Sequence, residues 1–320
     1  MADEPNPVVS IIMPVKDGQR FVAQAIESVL AQTYTNFELI IVNDGSTDLS
    51  AKIIEQYASI DNRIKFISLE NNYGVSVARN KGIELAIGRH ISFIDSDDIM
   101  APELIERMLK INEITGAEIV LANYTLSLKE LSKGDNLPNV LSPINAVSNM
   151  LYQKKGFDSA LFAKLIDCNL LKDSQFAPGI RYEDLLFLPE IYLKANKIAK
   201  IDGRLYYYRR NHDGFMCDNS RKHLDLLYVT EKLRQDLFPK YPILEKALIH
   251  RRFSALMNIL KRCYKNGLKL DINNKSLIIN EIKQLVPMAL KDSNARMKNR
   301  LGAVLALSGI PILKFAMKCS

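Results

Sequence analysis

Four apolar segments separated by helical patterns occupy the first hundred residues, and this alternation restricts the fold more than any other feature of the chain. The segments run from Val8 to Pro14, from Phe37 to Val42, from Ile64 to Ser68 and from Ile91 to Ile94. Each is mostly apolar over its whole length, which is typical of a strand buried on both faces. Strands alternating with helices predict an α/β fold with a doubly wound, mostly parallel sheet.

Polar residues follow these segments where a parallel strand would leave the core. The fourth segment ends in Asp95-Ser96-Asp97-Asp98, which places three carboxylates within four residues. Like charges at this spacing repel one another unless a cation or water meets them, and Mg²⁺ or Mn²⁺ prefers oxygen ligands. Open parallel sheets bind ligands at this edge. The acidic cluster therefore indicates a metal-assisted ligand site, or else a solvated turn before the helix that follows near Pro102.

The remaining chain has weaker patterns. A helix is expected from Leu104 to Ile114, and a polar loop, mobile in our interpretation, from Lys129 to Pro143. The segment Leu205–Arg210 is typical of an edge strand whose aromatic side chains can cover the site. From about His223 onward the pattern is helical. We therefore predict an α/β domain over residues 1–220 and a helical, basic domain over residues 221–320.

Charge is distributed unevenly over the 320 residues, whose net charge is +7. Residues 221–320 carry 20 Lys and Arg against 7 Asp and Glu, a balance of +13 that leaves −6 for residues 1–220. This asymmetry indicates an anionic partner for the C-terminal third. An amphipathic basic segment that contacts lipid and a helical bundle with a solvated basic face both fit it. Nucleic acid is not expected as the partner, since no recognised module is present.

The segment types that mark secreted or membrane-spanning proteins are missing. The four cysteines are scattered without paired spacing, and the N-terminus is polar and acidic. No run reaches the roughly 20 apolar residues of a spanning helix; Leu301–Leu313 is too short and contains Pro311. We expect a cytoplasmic protein, able to contact the inner face of the cytoplasmic membrane peripherally.

Five motifs in order resemble those of family 2 glycosyltransferases, which have the GT-A fold. The motifs are Ser10–Val15, Val42–Asp48, Gly74–Gly82, Phe93–Asp98 and Tyr182–Asp184. The resemblance covers about residues 8–215 and implies an inverting, metal-dependent enzyme. Such an enzyme would move a hexosyl or N-acetylhexosaminyl group from a UDP-sugar to an acceptor hydroxyl. A glycan or lipid-linked glycan of a bacterial surface polysaccharide, capsule or lipopolysaccharide is the acceptor implied.

The resemblance also assigns the residues of the donor site. It implies that Asp44 contacts uracil and that Arg79 contacts the nucleotide. The residues predicted to bind the donor nucleotide are Pro14, Val15, Asp17, Asp44, Arg79, Asp95 and Ser96. From the residues alone, Asp44 could instead cap a helix, and Arg79 could form a surface salt bridge.

The metal and the catalytic base are assigned by the same resemblance. Asp97 is predicted to bind Mn²⁺ or Mg²⁺ directly, with Asp95 assisting. Asp184 corresponds to the base that takes a proton from the acceptor hydroxyl. The pair Glu183-Asp184 could also be only a favourable first turn of a helix.

Five further residues are candidate members of the site: Glu183, Lys164, Arg209, Arg210 and His212. The segment Arg209–Gly214 lacks the serine that the family commonly has there, so the resemblance does not extend to the lid that closes the site. A nucleotidyltransferase is an alternative, although Val15–Arg20 is not the glycine-rich basic loop that it requires. A non-catalytic scaffold that binds nucleotide-sugars is another, but the presence of Asp97 and Asp184 disfavours it.

Overall fold

The computed structural model describes residues 7–134, 137–210, 221–265, 267–307, 314 and 317. The chain divides into two compact units, an α/β unit and a helical unit. The α/β unit comprises Met1–Ala146, Ser159–Gly179 and Glu183–Asn211, and the helical unit comprises Val147–Asp158, Ile180–Tyr182 and His212–Ser320. Two short segments that precede residue 220 in sequence thus belong to the helical unit.

The α/β unit is built on one nine-stranded sheet. Its strands are β1 (Val9–Val15), β2 (Phe37–Asp44), β3 (Ile64–Leu69), β4 (His90–Phe93), β5 (Ile99–Met100), β6 (Ile119–Thr125), β7 (Asn139–Leu141), β8 (Lys164–Asp167) and β9 (Ile198–Tyr207). The order is β3-β2-β1-β4-β8-β6-β9-β5, with β7 paired to β9. The neighbours from β3 to β4 are all parallel, as their continuous apolar runs predict.

Helices lie on both faces of the parallel half. The helices between residues 22 and 194 are α1 (Val22–Leu30), α2 (Ser50–Ala58), α3 (Val75–Leu85), α4 (Leu104–Thr115), α5 (Pro143–Leu151) and α6 (Glu183–Lys194). Ile11 and Met13 of β1 belong to the core that includes α1 and α4. Ile40 and Val42 of β2 pack instead with Ala78 of α3. Successive side chains of a strand point to opposite faces, so the sheet is doubly wound as predicted.

The second half of the sheet is mixed and differs from the sequence prediction in two places. Strand β8 runs antiparallel to β4 and β6, while β6 and β9 are parallel. The predicted edge strand Leu205–Arg210 is the end of β9, which lies between β6 and β5. Its Tyr206 is buried and stacks on Phe162, with ring centroids 4.4 Å apart. The predicted mobile loop Lys129–Pro143 contains β7, whose backbone pairs with β9.

The helical unit contains α7 (Asp225–Leu237), α8 (Glu245–Lys265), α9 (Ile272–Lys291) and α10 (Met297–Leu307). Helices α8, α9 and α10 share one apolar core, which includes Phe253, Leu256, Ile259, Ile278, Ile282, Val286 and Ala303. The predicted helical C-terminal region is therefore confirmed. Within the described ranges, none of the helices has the length and apolarity that crossing a bilayer requires.

Candidate active site

The ends of β1, β2 and β4 lie side by side because the register of the parallel strands aligns them. Val15 is opposite Asn43, and Ile12 is opposite Phe93. The loops that follow therefore leave the sheet at one edge. Two of these loops touch: a Cβ atom on Gly18 would lie 3.2 Å from the Ser96 hydroxyl oxygen.

The loops after β1 and β2 hold each other through hydrogen bonds. The Asp17 amide donates to the Ser46 hydroxyl over 2.9 Å, and the Thr47 amide donates to Asp17 Oδ1 over 2.8 Å. Lys16 Nζ donates to the Gly45 carbonyl over 2.9 Å. The bond from Thr47 is the main reason that the pKa of Asp17 is lowered. Asp17 therefore fixes the β2 loop, in addition to lying at the predicted nucleotide site.

Asp44 is buried at the end of β2, and its carboxylate holds the turn that enters α3. Its two oxygens accept the amides of Tyr73 and Gly74, each over 2.8 Å. Gly45 has φ +60°, and a Cβ there would lie 2.5 Å from the backbone of Asn71, so only glycine fits. The predicted contact of Asp44 with uracil would have to use lone pairs that these amides leave.

Arg79 connects the end of β4 to the start of α6. One guanidinium nitrogen bonds to Glu183 Oε1, and another lies 3.4 Å from Asp95 Oδ1. The guanidinium carbon lies 5.6 Å from the centre of the Phe176 ring. Arg79 and Glu183 are both buried. The salt bridge that was one alternative for Arg79 thus exists, but it is a buried one that joins two acidic motifs.

A second set of hydrogen bonds ties the acidic end of β4 to β9. The Tyr206 hydroxyl donates to Asp98 Oδ2 over 2.7 Å and accepts the Asp95 amide over 3.1 Å. Arg209 donates its amide to Asp98 Oδ1 over 2.8 Å and its Nε–H to the Asp97 carbonyl over 2.7 Å. Burial, with Asp95 and Asp97 nearby, raises the pKa of Asp98 to about 8. Asp98 thus faces the interior, while Asp95 and Asp97 are partly exposed.

Asp95 and Asp97 are chemically suited to a divalent ion. Their carboxylates are hard oxygen ligands, and they stand two residues apart in a loop that is held in place by Tyr206 and Arg209. No group of three or more His, Cys, Asp or Glu side chains that could hold a metal occurs in the part of the chain that the structure describes. Mg²⁺ commonly binds through one or two carboxylates with substrate phosphates and water. The two aspartates fit that kind of site.

Asp184 lies in the first turn of α6 and is half-buried. The Leu185 amide donates to its Oδ1 over 2.7 Å, and the Ser159 hydroxyl donates to its Oδ2 over 3.1 Å. Burial and the neighbouring Glu183 charge raise the pKa of Asp184 to about 7, against the opposing effect of Arg79. A carboxylate with a pKa near neutrality can accept a proton and give it up again under physiological conditions.

The other predicted residues lie in different surroundings. Pro14 and Val15 are the buried last residues of β1. Lys164 is buried in β8, with Nζ 3.4 Å from the Phe162 carbonyl. Arg209 contacts the acidic loop, whereas Arg210 is exposed. His212 lies outside the described residues.

Sequence reasoning missed two residues that support this region. Asn80 clamps the backbone of Phe176, since its Nδ2 donates to the Phe176 carbonyl over 2.9 Å and its Oδ1 accepts the Phe176 amide over 2.8 Å. The Phe176 ring lies below Arg79. Asn80 follows Arg79 within the motif Gly74–Gly82, so the sequence did offer a signal for this residue. Ser159 has no comparable signal, because nothing local in the sequence links it to Asp184.

Known proteins share a large part of this sequence. The profile of Glycosyl transferase family 2 matches residues 10–165. Glycosyltransferase GlyG of Streptococcus pneumoniae serotype 4 (strain ATCC BAA-334 / TIGR4) is 32% identical over 221 residues, which cover 65% of this chain and 73% of GlyG. The putative teichuronic acid biosynthesis glycosyltransferase TuaG of Bacillus subtilis (strain 168) is 35% identical over 149 residues, 46% of this chain and 59% of TuaG.

A solved structure shows the same fold at low sequence identity. The crystal structure of S. aureus TarS 1-349 in complex with UDP-GlcNAc superposes with a TM-score of 0.64 at 20% identity, over 97% of this chain and 89% of that chain. The family match excludes the nucleotidyltransferase alternative. The chain belongs to glycosyl transferase family 2 and is a glycosyltransferase with the GT-A fold.

Proposed function

We propose that this enzyme transfers a sugar from a UDP-sugar to an acceptor hydroxyl, with inversion at the anomeric carbon and with the help of Mn²⁺ or Mg²⁺. The observation that carries the proposal is the bridge through Arg79, which joins the acidic end of β4 to the helix start that bears Asp184. A single displacement needs a base on one side and a charge-stabilising group on the other. The UDP-GlcNAc complex of TarS supports a uridine nucleotide as the donor.

The donor side would be formed by the three strand ends. Asp97 would bind the metal directly, and Asp95 would share it or contact the ribose. The bound ion would stabilise the negative charge that develops on the leaving diphosphate. Arg79 would add a fixed positive charge nearby, since it lies against Asp95. Pro14, Val15, Asp17, Asp44 and Ser96 would line the nucleotide pocket.

The acceptor side would depend on Asp184. Its carboxylate would take the proton of the acceptor hydroxyl as that oxygen attacks the anomeric carbon, from the face opposite the departing diphosphate. In the same step the bond between the anomeric carbon and the diphosphate oxygen would break, so that UDP leaves as the anion and the anomeric configuration inverts. Ser159 and the Leu185 amide would hold the carboxylate in place. Glu183 is engaged by Arg79 and is therefore a poorer candidate for the base.

The acceptor that we propose is a glycan or lipid-linked glycan of a bacterial surface polysaccharide, at the inner face of the cytoplasmic membrane. The name of TuaG, teichuronic acid biosynthesis, supports a polysaccharide product. The balance of +13 in residues 221–320 supports an anionic surface near the acceptor. In this proposal residues 1–220 form the catalytic domain, and residues 221–320 form a helical domain that faces the acceptor's surroundings.

Binding of UDP with and without Mn²⁺, measured by calorimetry, tests the donor site. We expect metal-dependent binding in the wild type and at least about a tenfold loss in Asp97→Ala. Asp236→Ala, which removes an exposed carboxylate of α7 paired to Lys232, is the control and should bind like the wild type. Two results together would exclude the metal-bridged donor site. The wild type would bind UDP equally well with and without Mn²⁺, and Asp97→Ala would bind UDP as tightly as the wild type.

The base is tested by Asp184→Asn in an assay of sugar transfer. We expect kcat to fall by about 10²–10⁴-fold, while metal-dependent UDP binding is retained because the donor side is intact. Transfer at the wild-type rate would show that another group is the base. The product of the wild-type enzyme, examined by NMR, should have the anomeric configuration opposite to that of the donor.

A further inference from the structure

An exposed apolar stripe runs along α10 of the helical unit. Its four side chains are Met297, Leu301, Val304 and Leu307, exposed by 85%, 59%, 48% and 66%. Steps of four, three and three residues place them on one face of the helix. The opposite face, which is buried, carries Asn299, Gly302, Ala303 and Ala306. The stripe therefore faces solvent in a helix whose other face packs into the core.

The small residues of α10 face α8 and the core. A Cβ on Gly302 would lie 2.8 Å from the methyl at the end of the Met257 side chain of α8. Ala303 belongs to the shared core of the helical unit. A rotation that buried the stripe would move these small residues out of the core, and the side chains of α8 would have to repack around leucine and valine.

Lysine side chains of α8 and α10 lie near one another. Lys298 and Arg300 flank the stripe on α10 and are exposed. Burial, with the charges of Lys298 and Lys265 nearby, lowers the pKa of Lys261 on α8. Within the described ranges, no carboxylate forms an ion pair with Lys261, Lys265 or Lys298. Positive charges that repel one another in this way are stabilised when an anionic surface approaches.

We propose that the α10 stripe, together with Lys261, Lys265 and Lys298, is a docking surface for an anionic phospholipid bilayer. A soluble anion would meet the lysines but would leave the four apolar side chains in water. A bilayer interface offers acyl chains to the stripe and negative head groups to the cations, which is the arrangement of interfacial amphipathic helices. The inference rests on the proposed function, since an enzyme acting on a lipid-linked acceptor would work at such a surface.

Sedimentation with vesicles, without donor or acceptor, tests the electrostatic part. The full-length protein should bind vesicles of phosphatidylcholine with phosphatidylglycerol and should bind phosphatidylcholine alone at least about tenfold more weakly. Lys261→Glu with Lys298→Glu should lower binding to the anionic vesicles by about tenfold or more, because each lost cation is worth about fivefold. Lys222→Glu with Lys240→Glu changes the net charge equally and should bind like the wild type.

The apolar part is tested by Leu301→Asp, which should lower vesicle binding by about tenfold. Ile243→Asp changes another exposed apolar position of the same unit, 77% exposed against 59% for Leu301, and should not lower binding. Equal losses in the test and control variants would overturn the proposal. So would full competition by inorganic phosphate, which would indicate a phosphate site rather than a surface. Circular dichroism and the melting temperature of each variant confirm folding.

Metal-dependent UDP binding separates this inference from the proposed function. The vesicle-binding variants should bind UDP with Mn²⁺ as the wild type does, because none of the changed residues belongs to the donor site. Loss of vesicle binding with UDP binding intact in those variants would support the docking surface. Failure of wild-type UDP binding alone would overturn only the proposed function, and failure of wild-type vesicle binding alone would overturn only the docking surface.

Discussion

Arg79 is the residue on which the geometry of the candidate site depends most. Its guanidinium contacts Glu183 and Asp95, two carboxylates that come from different motifs. A lysine could not make both contacts, because its single ammonium group lacks the planar fork of arginine. The motifs that carry these residues were recognisable in the sequence. Their pairing was not, since 104 residues separate Arg79 from Glu183.

The buried pair predicts a strong effect of Arg79→Met. The change leaves the Glu183 carboxylate buried without its partner, so the free energy of unfolding should fall by about 3 kcal/mol. Arg79→Met combined with Glu183→Gln should recover most of that loss, because no uncompensated charge remains. Urea unfolding measures the loss in the single variant and the recovery in the double variant. Arg63→Met, which removes a partner of the less buried Asp61, is the control and should cost less than about 1 kcal/mol. Equal costs in the two single variants would contradict the special role of the buried pair.

Ser159 offers a test of the base through the pH dependence of the rate. Its hydroxyl donates to the Asp184 carboxylate, which favours the ionised form, whereas burial raises the pKa to about 7. A base must be deprotonated, so kcat/KM should rise with pH and level off above about 7. In Ser159→Ala the pKa of Asp184 should increase, and this acidic limb should move to higher pH. Activity should then fall roughly several-fold at pH 6 and little at pH 8.5.

The control for this profile is Ser127→Ala, since Ser127 lies in another loop of the α/β unit and has no contact with Asp184 among the described hydrogen bonds. The acidic limb of the pH profile of Ser127→Ala should coincide with that of the wild type. A limb that does not move in Ser159→Ala would mean that the rate reports a group other than Asp184.

At the level of elements, the packing of α3 on β1 positions Arg79. A Cβ on Gly82 of α3 would lie 2.4 Å from the Ile12 Cγ2 atom of β1. Gly82→Ala should therefore lower the free energy of unfolding by about 1–3 kcal/mol through overpacking of the core. Ile12→Ala in the same chain should remove the clash, so the double variant should lose less than the sum of the single variants. Lys81→Ala on the neighbouring exposed position should change stability by less than about 0.5 kcal/mol. Strictly additive losses, measured by urea unfolding, would contradict the steric explanation.

Elements were predictable where one physical signal dominated. The strands β1 to β4 have continuous apolar runs, and the structure confirms them with their parallel order. Strands β5 and β7 have two and three residues, too few for any period to be visible. The end of β9 was wrongly predicted as an edge strand whose aromatic side chains cover the site. In the structure, the Tyr206 hydroxyl is satisfied by Asp98, a partner 108 residues away that no local pattern reveals.

At the scale of the whole molecule, the charge distribution and the helical C-terminal third follow from the sequence, whereas the assignment of short segments to one unit or the other does not. The uneven charge and the helical C-terminal third could be deduced directly, because charge and periodicity are local properties. Membership of Val147–Asp158 and Ile180–Tyr182 in the helical unit could not. It depends on tertiary contacts such as the one between the Tyr152 hydroxyl and Asp292 Oδ2, 2.5 Å apart. The same limit applies to Ser159 and Asp184, which come together only in the folded α/β unit.

Stability of the whole protein should depend on pH through Asp184. The pKa of this carboxyl is raised from an ordinary 3.8 to about 7 by burial and by Glu183. Between these values the folded state binds more protons than the unfolded state, so this contribution is fully present below about pH 4 and is lost as pH rises through 7. The amide introduced by Asp184→Asn cannot ionise and should not suffer the loss. This variant should therefore be more stable than the wild type at pH 8, by about 1 kcal/mol or more.

Urea unfolding of the wild type and of Asp184→Asn at pH 8 and at pH 4 measures this effect. At pH 4 the difference in the free energy of unfolding should nearly vanish, because the Asp184 carboxyl of the folded wild type is then protonated. Asp236→Asn, on the exposed face of α7, should show no such trend. A difference of the same size at both pH values would mean that the Asp184 carboxyl is not destabilised by burial. If the trend appears together with the loss of transfer, then one physical cause accounts for both. The burial that would let this carboxylate act as a base near neutral pH would then also lower the stability of the folded protein.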